Sequence, residues 1–292
     1  MFEGSIVAIV TPFKKGKVDE PALKKLVEWH IQEGTDAIVP CGTTGESATL
    51  DYDEHINVID IVVKAVNKRI PVIAGTGANA TDETIMITKR AMEVGADGAL
   101  LVSPYYNKPT QEGLFRHYKA VADAVKKFPL VLYNVPGRTA MNMLPSTVAR
   151  LAAIKNIVAI KEATGDMRQA SDLVRLCPKG FNIISGDDFT TFTMAMLGGK
   201  GVISVVANVM PGAVAGMMDA LKAGNIDEAR SIHFMLEELN AAMFIETNPI
   251  PVKTALAMMG KIKEEFRLPL CEMSKDNRAK LEAVMKKYEL IK

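Results

Sequence analysis

The sequence predicts an α/β fold, a (β/α)8 barrel with a C-terminal helical extension. Three observations predict it. Short apolar runs alternate with helix-period segments, which implies parallel strands joined by helical crossovers. The runs number eight, at residues 5–9, 37–40, 71–74, 98–102, 130–134, 157–161, 182–185 and 201–205. Eight such units close naturally into a TIM barrel, whereas an open doubly wound sheet shares the alternation without needing that count. The helix-to-strand joints also echo one another: Glu33-Gly34-Thr35-Asp36, Val94-Gly95-Ala96-Asp97 and Gly198-Gly199-Lys200-Gly201. In each, a glycine is placed to end a helix in the left-handed conformation before the next strand.

The elements follow in order. Helix-period stretches cover 21–32, 52–67, 84–94, 113–126, 169–176 and 189–197. Start signals are Asp19 before Pro21, Thr81 followed by Asp82-Glu83, Thr110 before Gln111-Glu112, and Pro145 after Leu144. The longest uncharged stretch, 201–218, is broken by Asn208 and Pro211 and reads as strand, loop and helix rather than a membrane span. Strand signals stop near residue 224. Residues 1–224 are therefore assigned to the barrel that carries the site. Residues 225–292 are assigned to a helical region packed on it, with helices at 226–245, 251–259 and 277–288.

Composition narrows the function. With 292 residues, 48% of them hydrophobic, the chain has enough apolar side chains for a substantial core. A net charge of +1 leaves no electrostatic footprint for nucleic acid or an anionic membrane. Cys41, Cys177 and Cys271 are few, odd in number and widely spaced, which fits a reducing compartment. Met1-Phe2-Glu3 lacks the basic segment of a signal peptide, so a cytoplasmic location is expected.

The chemistry is expected at the carboxyl ends of the strands, where a barrel builds its site. Lys161 closes the apolar run Ile157-Val158-Ala159-Ile160. An amine there is partly out of water; desolvation penalises the ammonium and frees a nucleophile near neutral pH. Tyr133 ends the preceding strand, so a phenol would lie beside the amine and relay protons during carbinolamine formation and dehydration. By period two, Ala159 and Ile157 face the barrel interior with Lys161, and Val131 does so with Tyr133. The second strand is followed by Cys41-Gly42-Thr43-Thr44-Gly45-Glu46-Ser47, whose glycines, hydroxyls and N–H groups suit a carboxylate. Tyr105-Tyr106 follows the fourth strand, Arg138 the fifth, and Ser185-Gly186-Asp187-Asp188 the seventh. Arg138 has the geometry to pair bidentately with a substrate carboxylate. The implied class is Schiff-base catalysis on a keto acid.

Each residue also has a plain alternative. A strand-terminal lysine can end in solvent, Tyr133 can be core, Arg138 an ordinary loop residue, Tyr105-Tyr106 a subunit contact, and the Gly-Thr-Thr-Gly-Glu run a tight turn. Their shared position at strand ends favours the joint reading. Residues 75–80 match a dinucleotide fingerprint in form, but no acidic residue closes the next strand to hold a ribose. His30, His55, His117 and His233 show no metal spacing, and Asp53-Glu54-His55 reads as capping charge. The methionines at 194, 196, 217, 218, 258 and 259 read as core filler. No metal and no cofactor is called for.

Residues 4–12, 42–47, 75–80, 104–109, 133–139, 160–165 and 248–253 together resemble the dihydrodipicolinate synthase and N-acetylneuraminate lyase family, nearly end to end. The resemblance implies a class I aldolase-type lyase on a barrel with C-terminal helices. It implies that Lys161 forms a Schiff base with pyruvate and that Tyr133 donates and accepts protons. Thr43 and Tyr106 would extend the relay, Tyr106 reaching in from a neighbouring subunit of a homo-oligomer, commonly a tetramer. Thr44 and Ile203 would contact pyruvate, Gly186 would line the substrate site, and Arg138 would hold the carboxylate of the second substrate. The Gly-Thr-Thr-Gly-Glu run and Arg138 resemble the synthase branch, since the sialic acid lyases usually lack that arginine. That branch condenses pyruvate with L-aspartate 4-semialdehyde on the diaminopimelate route to L-lysine. A sister lyase acting on a 2-keto-3-deoxy sugar acid and a non-catalytic keto-acid-binding protein are the alternatives. The family's feedback site for L-lysine maps to Ser47, Ala48, Tyr52, His55, Asn79, Glu83 and Tyr105, with Tyr52 standing where feedback-sensitive members often have histidine.

Overall fold

The computed structural model describes residues 2–292. Strands β1 (Gly4–Ala8), β2 (Ala37–Val39), β3 (Ile73–Gly75), β4 (Gly98–Val102), β5 (Leu130–Asn134), β6 (Ile157–Glu162), β7 (Asn182–Ser185) and β8 (Gly201–Ser204) make one sheet. Its order is β2-β1-β8-β7-β6-β5-β4-β3, and every ladder in it is parallel. A parallel bridge from Ile38 to Val72 joins the two ends and closes the barrel. All eight apolar runs expected from the sequence become strands, and the shared glycine joints behave as expected: Gly34, Gly95 and Gly198 have φ of 85°, 94° and 113°.

Helices α1 (Glu20–Gln32), α2 (Tyr52–Val66), α3 (Thr81–Glu93) and α4 (Gln111–Ala124) follow the first four strands. A short α5 (Pro136–Thr139) and α6 (Pro145–Ala152) follow β5, then α7 (Met167–Leu176), α8 (Thr191–Met196) and α9 (Pro211–Ala223) complete the ring. The side chains of Asp19 and Thr110 cap α1 and α4 by accepting from Ala22 N and Gly113 N, both at 3.2 Å. α3 starts at Thr81, a turn before the periodic pattern, because the Thr84 hydroxyl accepts from Ala78 N at 3.0 Å and folds the entry back. The expected helix at 189–197 is divided. Asp187 caps a 3-10 turn at Asp188–Thr190, and α8 begins only after it. A hairpin pairing Phe13–Lys14 with Lys17–Val18 was not expected. Beyond the ring lie α10 (Ile226–Ala242), α11 (Ile250–Met258) and α12 (Lys275–Lys287). No helix among the described residues is long and apolar enough to cross a membrane.

Two layers of core follow from this geometry. Ile6, Ala8, Val39, Ile73, Leu100, Val131, Ala159, Ile184 and Ile203 fill the barrel interior, with Phe2 at its amino-terminal end. The alternate strand residues pack outward against the helices. One inward expectation fails. Leu130 pairs with Ile157 but Val131 pairs with Ala159, so Val158 is an extra residue in β6. Val158 packs on the interior cluster and Ile157 turns to the helix side. The bulge leaves Ala159 and Lys161 on the inward face.

Candidate active site

A cleft of about 270 Å³ opens at the carboxyl ends of the strands. Its wall contains Thr43, Thr44, Tyr133, Arg138, Lys161 and Gly186 of the residues expected from sequence. Tyr133 and Lys161 are register partners across β5 and β6, and the Lys161 Nζ lies 4.4 Å from the centre of the Tyr133 ring. Only 5% of Lys161 is exposed. Burial pulls its amine down to about 8; Arg138 pulls the same way, while Asp188 and Asp187 oppose it. Burial pushes the Tyr133 phenol up to about 12, partly offset by Arg138 and the Thr43 hydroxyl. At neutral pH the pair therefore joins an amine that deprotonates readily to a phenol that holds its proton.

The strand ends that carry this pair are pinned from behind. The Asn134 amide donates to Glu162 Oε2 at 3.1 Å and to Asn142 Oδ1 at 2.8 Å. Gln169 Nε2 donates to the same Glu162 oxygen at 3.1 Å, and Thr164 N to the other at 2.8 Å. Every buried acceptor of Glu162 is thus used, and β5 and β6 end in fixed positions. Gly186 closes the opposite side. A Cβ there would lie 2.8 Å from Lys161 Cε and 2.7 Å from the Ala163 Cβ, so only glycine leaves the lysine its place.

The loop of residues 42–47 is held from below by an ion pair. Glu46, in the left-handed conformation at φ 53°, meets the Lys253 ammonium, and both side chains are fully buried. The Thr11 hydroxyl donates to Gly45 O at 2.7 Å. From above, the Asn248 amide donates to the Thr44 hydroxyl at 3.0 Å, while its backbone carbonyl accepts from Arg138 at 3.3 Å. The glycines of the dinucleotide-like run have a packing cause: a Cβ on Gly75 would stand 2.2 Å from Cys41 O, and one on Gly77 2.3 Å from Val102 N.

Other expected residues lie elsewhere. Ile203 sits deeper in the barrel, and Val205 takes the place on the cleft wall. Tyr106 is 90% exposed and outside the cleft. A second cavity of about 610 Å³ is lined by Ser47, Ala48, Tyr52, His55, Glu83 and Tyr105, and it meets the first at Thr43, Arg138 and Asn248. Asn79 is not on that wall; its carbonyl accepts from the Asn107 amide at 2.8 Å. His55 is more than capping charge, since its Nε2 contacts Gly75 O at 2.7 Å in a buried site. Asp187, Phe244 and Asn248 also line the cleft; Phe244 was not named from sequence, and Asp187 and Asn248 were named only within longer runs, with no role. Asp187 was visible at the end of the seventh strand. Phe244 and Asn248 lie past the barrel, where strand-end reasoning does not look.

Residues 1–288 match the dihydrodipicolinate synthetase family. The chain is 68% identical over its full length, and the relative's, to a 4-hydroxy-tetrahydrodipicolinate synthase of Thermodesulfovibrio yellowstonii. It is 64% identical, again over 100% of both chains, to one of Geobacter sulfurreducens. The dihydrodipicolinate synthase of Aquifex aeolicus superposes with a TM-score of 0.97 at 53% identity, covering 99% of each chain. The chloride-inhibited enzyme of Acinetobacter baumannii complexed with pyruvate does so at 0.97 and 49%, covering 100% of each. The enzyme of Cyanidioschyzon merolae with lysine bound does so at 0.96 and 40%, covering 99% of each. Matched in sequence and in fold from end to end, the chain belongs to the dihydrodipicolinate synthetase family.

Proposed function

We propose that this chain is a Schiff-base-forming lyase that condenses pyruvate with L-aspartate 4-semialdehyde, the reaction of a 4-hydroxy-tetrahydrodipicolinate synthase in the diaminopimelate route to L-lysine. The relatives' names support the reaction. The observation that carries the residue assignment is the buried Lys161 amine beside the protonated Tyr133 phenol. Neutral Lys161 attacks the pyruvate ketone, and Tyr133 supplies the proton with which the carbinolamine hydroxyl leaves as water. Loss of a methyl proton gives an enamine, whose carbon attacks the aldehyde. The substrate amine then adds to the former ketone carbon, Lys161 departs, and the ring closes. Thr43 stands against the phenol to pass protons, Thr44 and the loop N–H groups hold the pyruvate carboxylate, with Ile203 beneath and Gly186 beside the lysine. Arg138 takes the carboxylate of the second substrate.

Borohydride trapping tests this. Pyruvate is expected to leave a reduced mass adduct on Lys161, and the trapping rate is expected to climb with pH and level off above about 8. The sign follows from the lowered pKa. About one amine in ten is neutral at pH 7, against about one in three thousand for an unperturbed lysine. Pyruvate bound without modification of Lys161 would favour a keto-acid-binding protein. Faster turnover of sugar aldehydes than of aspartate semialdehyde would favour a sister lyase, a reading that the cationic Arg138 at the cleft disfavours.

Two further roles belong to this reading. The exposed Tyr106 phenol completes the relay of a neighbouring subunit, so the working form is a homo-oligomer, a tetramer in keeping with the family, in the cytoplasm. The second cavity takes L-lysine as an inhibitor, with Ser47, Ala48, Tyr52, His55, Asn79, Glu83 and Tyr105 around it. Glu83 beside the Tyr52 hydroxyl provides an anion for the ligand's ammonium. Steady-state rates are expected to fall as L-lysine is titrated in; a flat response removes this second role.

A further inference from the structure

Lys161 stands beside Tyr133 because of the extra residue Val158. Leu130 pairs with Ile157, but from Val131 onward the partners are shifted by one, so that Tyr133 meets Lys161 and Asn134 meets Glu162. Without that shift Tyr133 would lie opposite Ile160. Lys161 would fall opposite Asn134, its amine turned from the cleft to the helices. Val158, Ala159 and Ile160 are apolar and suit either face of a strand covered on both sides, so they do not choose between the two registers. A bulge also disrupts the ladder, so something else must favour it.

That favour lies one step past the reactive pair, on the opposite face of the sheet. There four side chains close a square in which donors and acceptors alternate. The amides of Asn134 and Gln169 each donate to both Glu162 Oε2 and Asn142 Oδ1. Asn142 in turn donates to Gln169 Oε1 at 2.8 Å, Met143 N donates to Asn134 Oδ1 at 2.9 Å, and Thr164 N takes the other Glu162 oxygen. In the unshifted register Glu162 would face the barrel and the square could not close. Resting on the Schiff-base reading of Lys161, we propose that Glu162 is a positioning residue. Its carboxylate holds β5 and β6 in the bulged register and so keeps the Lys161 amine beside the Tyr133 phenol.

The test is Glu162→Gln, which keeps the shape and exchanges one acceptor for a donor. Either way round, an NH2 then meets a backbone N–H: at Thr164 directly, or at Met143 once Asn134 turns over to face the new amide. A displacement of about 1 Å at the reacting groups costs roughly 100-fold, so kcat is expected to fall roughly 10- to 100-fold. Borohydride trapping of pyruvate on Lys161 should slow with it. KM for aspartate semialdehyde should change little, since Glu162 is not on the cleft wall. Circular dichroism measures the folded fraction. Combining Asn134→Asp with Glu162→Gln inverts the square. The introduced carboxylate accepts from Met143 N, from Asn142 and from the new amide, while Asn142 and Gln169 turn over and every donor regains an acceptor. This double variant keeps the wild-type net charge and is expected to regain most of the lost kcat. A folded Glu162→Gln variant with wild-type kcat overturns the proposal, as does a double variant as slow as the single. A single variant that fails to fold overturns it too, because the carboxylate would then hold the barrel and not the pair. Wild-type protein that pyruvate and borohydride leave unmodified at Lys161 sinks the parent reading and this one with it. Wild-type trapping beside an unslowed Glu162→Gln variant sinks this one alone.

Discussion

Lys161→Ala is expected to lower the condensation rate by roughly a thousandfold or more, because the covalent route is lost entirely and only substrate positioning remains. The fold should survive. Lys161 ends β6, its backbone pairing with β5 and β7 does not need the side chain, and the strand end is pinned independently by Glu162, Asn134 and Gln169. Removing an amine that is costly to charge in this position also removes a source of instability. Circular dichroism and thermal unfolding should match the wild type while turnover collapses. Wild-type turnover in the variant would end the covalent assignment.

The second large effect concerns a residue that touches no substrate. Lys253→Met strips Glu46 of its ion-pair partner in a site with no solvent, since both side chains of the pair are fully buried, and leaves it the Arg267 N–H at 3.3 Å. Removing one partner of such a pair costs about 3–5 kcal/mol. For a domain of this size that is roughly a 10 °C fall in Tm. The aromatic rings around the ammonium, with Phe13 4.3 Å and Phe266 5.2 Å from Nζ, can compensate a cation but offer an anion nothing. The double variant Glu46→Gln, Lys253→Met removes both charges and should recover most of the loss. A double variant as unstable as the single would show that packing, not charge, sets the cost.

The barrel was legible because parallel strands covered on both faces must be short apolar runs, and helices that return to them must end where a glycine lets the chain reverse. Lys161 was legible for the same reason: a cation at the end of such a run has nowhere wet to go. The bulge at Val158 was not, since an extra β-branched residue in a buried strand leaves the apolar pattern intact. Asp187 and Asp188 read as a matched pair, and only the turn between β7 and α8 separates a carboxylate in the cleft from one spent on backbone N–H groups. Asn248 and Lys253 bound a run that carries the resemblance, yet their roles were not legible because their partners, Thr44 and Glu46, lie some two hundred residues away. The methionines divided by burial: Met194 and Met217 are core, whereas Met196 is half-exposed.

The ion pair beneath the Gly42–Ser47 loop and the Asn248 amide above it bear on how the protein comes into being. All eight strands have been synthesised once Ser204 is made, yet Asn248 and Lys253 are still to come. A nascent chain can therefore close its barrel around Lys161 while the threonine loop still lacks these two ties, with the Thr11 hydroxyl already able to reach Gly45 O. Lys161 gains its full surroundings only after Asn248 and Lys253 have been made, well after the last strand of the barrel.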